Sequence, residues 1–431
     1  MKFNIFKKLR NLRTSVNNDW QPNTQYKSGQ MVIYNDITYT CNLDHKSYSK
    51  FWLWTKTPDP TPTPTPDPTP TPTPDPTGVD PWKTGVSYKI GNKVSYNGAI
   101  YQCINAHTSI VSWEPPNADS LWSVISKPLI PIISSNYEWT KNTFSPYLDA
   151  CAWPVPSLPT IMNKAGNKVF TLAFIVAGPD KLPSWGGTMS LKTDFMASDI
   201  NTVRKNGGDV IISFGGANGS ELAQVITDTT KLVAAYQSVI DMYNLRCIEF
   251  DIEGGACAEK ASVDRRNQAI TILQKNNPSL LVNYCLPVLP DGLTVDGIYI
   301  IQSAFKYGVK IHNFGIMSMD YGATGIDMGN ANNTASLATY NQCTKVGYKN
   351  VTIKCIPMIG CNDVPGETFT LLNATNVLNF AKANSYIKEL SYWEIGRDNY
   401  KANEAGTACN DSSGIPQTKY QFASIFKQFQ Q

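Results

Sequence analysis

The sequence predicts an α/β fold, a barrel of eight parallel strands alternating with helices, preceded by two small all-β modules. Three observations predict it. Eight positions near the start recur at one offset of 62 residues, which marks two copies of a short aromatic unit. A Thr-Pro repeat over 57–77 stands between those copies. From about Ser135 onward, apolar strand-like runs alternate with stretches that carry apolar residues every three or four positions.

Composition bounds the rest. A chain of 431 residues suggests two or three domains. Charged residues make up 16% and the net charge is +3, so neither nucleic acid nor an anionic membrane is expected as a partner. Ten Trp and 21 Tyr point instead to uncharged surfaces read by ring stacking, sugars among them. Only three histidines occur, far apart, and none of the ten cysteines has C-x-x-C spacing, so no metal or other cofactor is expected. Cys355 with Cys361, or Cys247 with Cys257, could pair; otherwise the cysteines read as buried thiols.

In chain order, a basic segment over 1–18 has no uninterrupted apolar run, hence no Sec-type signal core, and no stretch has the length of a membrane helix. The first aromatic copy occupies 19–56 and the second 81–125. Trp20, Tyr26, Gly29, Val32, Tyr34, Tyr39, Cys41 and His45 match Trp82, Tyr88, Gly91, Val94, Tyr96, Tyr101, Cys103 and His107. Turn residues such as Asn97-Gly98 between short aromatic runs read as small β-sheets. Units this small have marginal cores and devote many aromatics to them. The linker over 57–80, with Asp59, Asp67 and Asp75 interrupting its Thr-Pro repeat, reads as an extended polyproline-like spacer. A second linker covers 126–137 and the barrel 138–431.

Eight candidate strands fall at 147–153, 169–176, 209–214, 247–253, 281–288, 314–321, 351–359 and 390–395, with helices at 221–243, 263–275, 333–346 and 371–383. Eight such strands imply a TIM (β/α)8 barrel. A doubly wound open sheet is the competing fold, but the Gly-rich phosphate turn it would need is missing.

The fourth candidate strand holds Glu249, Asp251 and Glu253, alternating with Ile248, Phe250 and Ile252. The two-residue period puts all three acids on one face. A solvated edge strand would explain this too, but the bulky apolar opposite face and the Gly254-Gly255 turn argue for burial. Three like charges side by side shift one another's pKa values. In a barrel of this kind the strand would deliver Glu253 to the mouth, with Asp251 and Glu249 successively deeper.

These motifs resemble known families. W-x5-Y-x2-G-x2-V-x-Y-x4-Y is similar to the small chitin-binding modules of carbohydrate-binding families 5 and 12, the second copy being the fuller match and the first truncated after His45. Trp113, His107 and Tyr101 are then candidate chitin contacts, with Trp113 and His107 exposed and Trp82, Tyr88 and Tyr96 in the core. The acidic strand resembles the D-x-x-D-x-D-x-E signature of family 18 glycoside hydrolases, the chitinases. Ser213-Phe214-Gly215-Gly216 resembles their third-strand element, Met317-Ser318-Met319-Asp320-Tyr321 their sixth-strand element, and Tyr392-Trp393 their final-strand aromatic.

The resemblance implies retaining hydrolysis of chitin without an enzyme nucleophile, the family being a substrate-assisted exception to the two-carboxylate rule. Glu253 would be the general acid and Asp251 would orient the substrate's 2-acetamido group. Tyr321 or Asp320 would hydrogen-bond that group, and Trp393 would lie under the sugar. Ser213, Gly215, Gly216, Met317 and Met319 would line the site. Two departures stand out: Glu249 replaces an aspartate, and Arg246 stands where the signature opens with another. Glu249 could still share a proton with Asp251, while Arg246, at the strand's base, would pair an acid.

The implied protein is a monomeric, secreted, endo-acting chitinase whose partners are chitin and chitooligosaccharides. A catalytically dead chitin lectin, an endoglycosidase on N-linked glycans and a subunit of a toxin assembly are the rival readings.

Overall fold

The computed structural model describes residues 24–27, 30–34, 37–41, 45–46, 54–56, 79–96, 99–126, 132–139, 141–152, 157–191 and 195–430. The Thr-Pro segment, Trp20, Gly29, the Asn97-Gly98 turn and Trp153 lie outside those residues.

The two aromatic copies build the same sheet. In the first, Met31–Tyr34, Ile37–Cys41 and Trp54–Lys56 form an antiparallel sheet, and Gln25–Tyr26 pairs with His45–Lys46. The second repeats this with Lys93–Tyr96, Ala99–Cys103 and Trp122–Ser126, and with Ser87–Tyr88 against His107–Thr108. The 62-residue offset holds at each strand start except the third long strand, before which the first copy is shorter. The second core gathers Tyr88, Val94, Tyr101, Cys103 and Trp122, with Trp82 and Tyr96 packed at its edge.

Beyond the modules, eight parallel strands form the barrel. Seven of them are Val169–Ala177, Asp209–Gly215, Cys247–Asp251, Leu281–Leu289, Asn313–Met317, Ile353–Ile356 and Ile387–Leu390, each hydrogen-bonded to the next. The first strand completes the ring in two pieces. Thr143–Phe144 pairs with the eighth strand and Tyr147–Asp149 with the second, both in parallel. Pro146 has no N–H to give the ladder and marks the break. Around it, the Ser145 and Tyr147 amides reach Leu390 and Tyr392, while the Thr171 amide reaches the Pro146 carbonyl.

Several boundaries differ from the sequence reading. The eighth strand lies at Ile387–Leu390 and not 390–395, and Trp393 follows it, held by an isolated parallel bridge to Met358. The sixth stops at Met317, ahead of a turn in which Asp320 takes a positive φ of 51°. The seventh stops before Pro357. The helix expected over 221–243 is two helices, Leu222–Val225 and Thr229–Tyr243, the second started afresh by the Asp228 side chain accepting from the Lys231 amide.

The pairs that spacing allowed, Cys355 with Cys361 and Cys247 with Cys257, do not form, and these four side chains are buried as thiols. The Cys257 thiol donates to the Ile252 carbonyl and that of Cys355 lies 3.3 Å from the Ser336 hydroxyl, so the two are committed elsewhere. No helix among the described residues is long and apolar enough to cross a membrane.

Candidate active site

The fourth strand, Cys247–Asp251, sorts its side chains by parity. Ile248 and Phe250 face the helices, where the Phe250 ring stacks on Phe214 at 5.4 Å and meets Tyr236 edge-on at 5.1 Å. Glu249 and Asp251 take the other face, into the barrel, and Glu253 follows just past the strand's end, half-buried. The strand is anchored at its base by Arg246, whose guanidinium donates to the carbonyls of Ser135 and Tyr137. Among the described residues no acid pairs with it, where the sequence reading expected one.

Below Asp251 the barrel interior is polar, and its parts satisfy one another. Lys354 on the seventh strand is fully buried and donates to both oxygens of Glu249, at 2.8 and 3.1 Å. Its ammonium also lies 3.3 Å from Glu389. Glu389 accepts in addition from Ser145, Asn283 and Asn313. Register explains the layer, since Ser213, Glu249, Asn283 and Asn313 are successive cross-strand partners. Glu249 is therefore part of an ion pair, which works against the rise in its pKa that burial causes. The Tyr147 hydroxyl bridges the two acids, donating to Glu249 and lying 3.3 Å from Asp251 Oδ2.

Around the mouth, Met317, Met319, Trp393 and Phe174 pack with Tyr147, Cys285 and Ile356. Phe174 stacks on Trp393 at 5.6 Å and Tyr147 lies 5.7 Å from the same indole. Gly216 has φ 89°, and a β-carbon there would fall 2.6 Å from the Phe174 ring. A β-carbon on Gly215 would fall closer still, 2.0 Å from the Asp251 carbonyl oxygen. Ser213 is fully buried with no hydrogen-bond partner for its hydroxyl.

Asp320 accepts from the Val364 amide and acts on Glu253 as a nearby negative charge. Tyr321 does not join this group. It packs against the larger core, its hydroxyl buried near Ser318.

These surroundings set the charges. Burial, and then the Glu253 carboxylate, push Asp251 well above the usual carboxylate range. Burial also raises Glu253, with the hydrogen bond from Asp251 working the other way and Asp320 adding to the rise. Two acids in such contact titrate as a pair. Burial works against the charge on Lys354, but Glu249 and Glu389 outweigh it and hold its pKa up. Beside Trp393, burial lifts Glu394 to about 8, and its carboxylate accepts from the Asp149 amide at 2.6 Å. Among the described residues no group of three or more His, Cys, Asp or Glu side chains could hold a metal ion.

In the second module Trp113 is 38% exposed. His107 is half-buried, its ring 5.1 Å from Trp122 and 6.0 Å from Trp113, and its Nε2 is enclosed, so it supports Trp113 from behind and does not stand free as expected. Tyr101, expected at the sugar, is 5% exposed in the module core. The inward parity of Ala99, Tyr101 and Cys103 on their strand dictates this.

Sequence reasoning missed Tyr147, Phe174, Lys354 and Glu394. A signal existed for Lys354, the one charge in the buried run Ile353–Ile356.

Comparison with known proteins follows this division. Residues 19–66 and 81–123 match the model of carbohydrate-binding module family 5/12. A probable bifunctional chitinase/lysozyme of Escherichia coli is 30% identical over 312 residues, 68% of this chain and 35% of that protein. Endochitinase 11 of Metarhizium anisopliae is 31% identical over 279 residues, 60% of this chain and 53% of that protein. The chain thus spans about half the length, or less, of these curated relatives. The catalytic domain of a hyperthermophilic chitinase from Pyrococcus furiosus superposes with a TM-score of 0.61 at 28% identity, covering 69% of this chain and 96% of that one. The family model bears out the two modules, and the relatives and the solved structure bear out the resemblance to chitinases.

Proposed function

We propose that this chain, a barrel similar to chitinase catalytic domains joined to two family 5/12 carbohydrate-binding modules, is a chitinase that cleaves internal β-1,4 bonds of N-acetylglucosamine polymer with retention. The observation that carries the reading is the Asp251–Glu253 pair at the mouth end of the fourth strand, with Tyr147 between Asp251 and the Trp393 indole.

Glu253 is half-buried and raised in pKa, which suits an acid that must stay protonated near neutrality to protonate a glycosidic oxygen. No second carboxylate is needed as nucleophile when the carbonyl oxygen of the substrate's own 2-acetamido group attacks the anomeric carbon. Asp251, as a carboxylate, accepts from the acetamido N–H and stabilises the positive charge that develops there. Glu253 then takes a proton from the water that opens the intermediate. The working state of the pair holds a single proton, so activity follows a bell-shaped pH profile.

Trp393, with Phe174 stacked against it, offers a flat floor for the sugar, and Met317 and Met319 fill the wall beside it. The modules keep the barrel at an insoluble surface and raise its local concentration there. An insoluble polymer places the reaction outside the cell.

Glu253→Gln tests the reading. It is expected to abolish release of chitooligosaccharides while the full chain still sediments with chitin, and unchanged turnover would overturn the assignment. Internal cleavage is tested by the products of chitin hexamer over time, where dimer as the main product from the first minutes would refute it.

A further inference from the structure

The sixth strand ends at Met317, and the chain turns sharply within a few residues. Asp320 takes φ 51° there, and Gly322 and Gly325 take 77° and 72°. A positive φ at a residue other than glycine costs energy and persists only where the surroundings hold it. Here the surroundings are one short loop. Gly360–Cys361 and Thr368–Phe369 pair as an antiparallel hairpin past the end of the seventh strand, and residues 362–367 are its tip.

Hydrogen bonds join this tip to the turn. The Asn362 side-chain oxygen accepts from the Asp320 amide at 3.3 Å, and the Asp320 carboxylate accepts from the Val364 amide at 2.9 Å. Glu367 takes two more amides, Oε2 accepting from Tyr321 at 2.9 Å and Oε1 from Ala323 at 3.0 Å. The tip is itself fixed, since the Asn362 side chain donates to the Met358 and Gly360 carbonyls and the Asn362 amide to the Glu367 carbonyl. Glu367 is 1% exposed, so its carboxylate is committed to these amides and not to water.

The turn carries two groups that belong to the mouth. Met319 packs with Trp393, and Asp320 acts on Glu253 as a nearby negative charge. We propose that Glu367 is a positioning residue: by taking two amides of the turn, one on each carboxylate oxygen, it fixes Asp320 against Glu253 and Met319 against the sugar floor. It touches no substrate and acts through the turn alone. A carboxylate suits the task because it offers two acceptors and no donor, whereas a carboxamide would set an NH2 group against one of the amides.

The charges around the pair give the inference its sign. Glu253 is faced by Asp251 and Asp320, and the Cys257 thiol near it, pushed up to about 12 by burial, is neutral. Asp320 is raised by burial first, lowered by the Val364 amide, and raised again by the charges of Asp363 and Glu367. The Tyr321 phenol and the Cys355 thiol are both raised by burial and stay neutral, and Arg397 faces Asp363 and Glu394. Asp320 is thus a like charge that helps Glu253 to keep its proton, and displacing it lets that proton leave at lower pH.

The inference rests on the chitinase reading, and the pH dependence of kcat/KM on a fluorogenic chitobioside, measured in the full chain, separates the two. No turnover by the unmodified chain at any pH sinks the chitinase reading and the inference with it. With turnover established, Asp320→Asn should move the alkaline limb to lower pH by about half a unit or more. Glu367→Gln should move it the same way and lower kcat by about tenfold or more. Glu367→Asp keeps the charge but is one methylene short, and should also move the limb down. Added to Asp320→Asn, Glu367→Gln should produce no further movement, because both act on one contact. A limb that stays in place in Glu367→Asp overturns the inference, as does one that stays in place in Asp320→Asn or movements that add in the double variant. A purely structural role for Glu367 would lower yield or melting temperature and leave the limb where it was. Glu367→Asp carries the test if Glu367→Gln does not fold.

Discussion

A β-carbon on Gly215 would stand 2.0 Å from the carbonyl oxygen of Asp251. The third and fourth strands therefore meet at their mouth ends with no room for a side chain, and the Gly216 amide bonds the same carbonyl at 3.1 Å. Gly215 also has a φ of 103°, a conformation that L side chains rarely adopt. Backbone cannot yield as a flexible side chain would, so Gly215→Ala must displace Asp251 itself. The expected result is a loss of more than about 1 kcal/mol in stability together with a fall of at least about tenfold in turnover. Gly207 provides the control: its φ is 75° but nothing lies within 4 Å of an added β-carbon. Gly207→Ala should carry the strain without the loss of turnover. Equal turnover in the two variants would show that Asp251 does not depend on this contact.

Glu394 gives the fold a pH dependence of its own. Burial lifts it from the ordinary 4.5 to about 8. Between those values the folded chain keeps a proton that the unfolded chain has lost. Its contribution is complete below about pH 4.5 and is lost as the pH rises toward 8, by at most about 1.4 kcal/mol per unit. Glu394→Gln retains an oxygen to accept from the Asp149 amide but cannot ionise. Urea unfolding at pH 5 and pH 8 should find the variant gaining on the unmodified chain as the pH rises. Parallel dependence in the two proteins would mean that Glu394 is not held protonated.

The acids of the fourth strand were legible because a two-residue period needs no partner to be recognised, and because Ile248 and Phe250 show which face is apolar. Lys354 was not, since its meaning lies in a contact with Glu249, 105 positions away, that only barrel closure creates. The eighth strand was placed too late because Tyr392 and Trp393 look more strand-like than Lys388 and Glu389. Yet Glu389 belongs to the ladder and to the polar interior, while Trp393 packs beyond the strand's end, bridged to Met358. Tyr101 differs from all of these, as the alternation of its own strand already pointed it inward.

That difference between Tyr101 and Trp113 yields a prediction about chitin binding. Trp113 keeps 38% of its surface in solvent while His107 packs against it from the module side, so its indole is held in place by contacts that a ligand would not disturb. Tyr101 sits among Val94, Cys103 and Trp122, where a sugar cannot reach. Sedimentation with chitin is best measured in the full chain carrying Glu253→Gln, so that the polymer is not consumed. Trp113→Ala in that background should weaken binding by about tenfold or more, because losing one of two linked modules removes the avidity term as well as the contact. Some binding should remain through the first module. Tyr101→Phe, which keeps the buried ring, should sediment like its parent. If Trp113→Ala binds undiminished, the sugar surface of the second module lies elsewhere. If Tyr101→Phe loses binding while its melting temperature is unchanged, the phenol hydroxyl contacts chitin after all, and its burial must be relieved on binding.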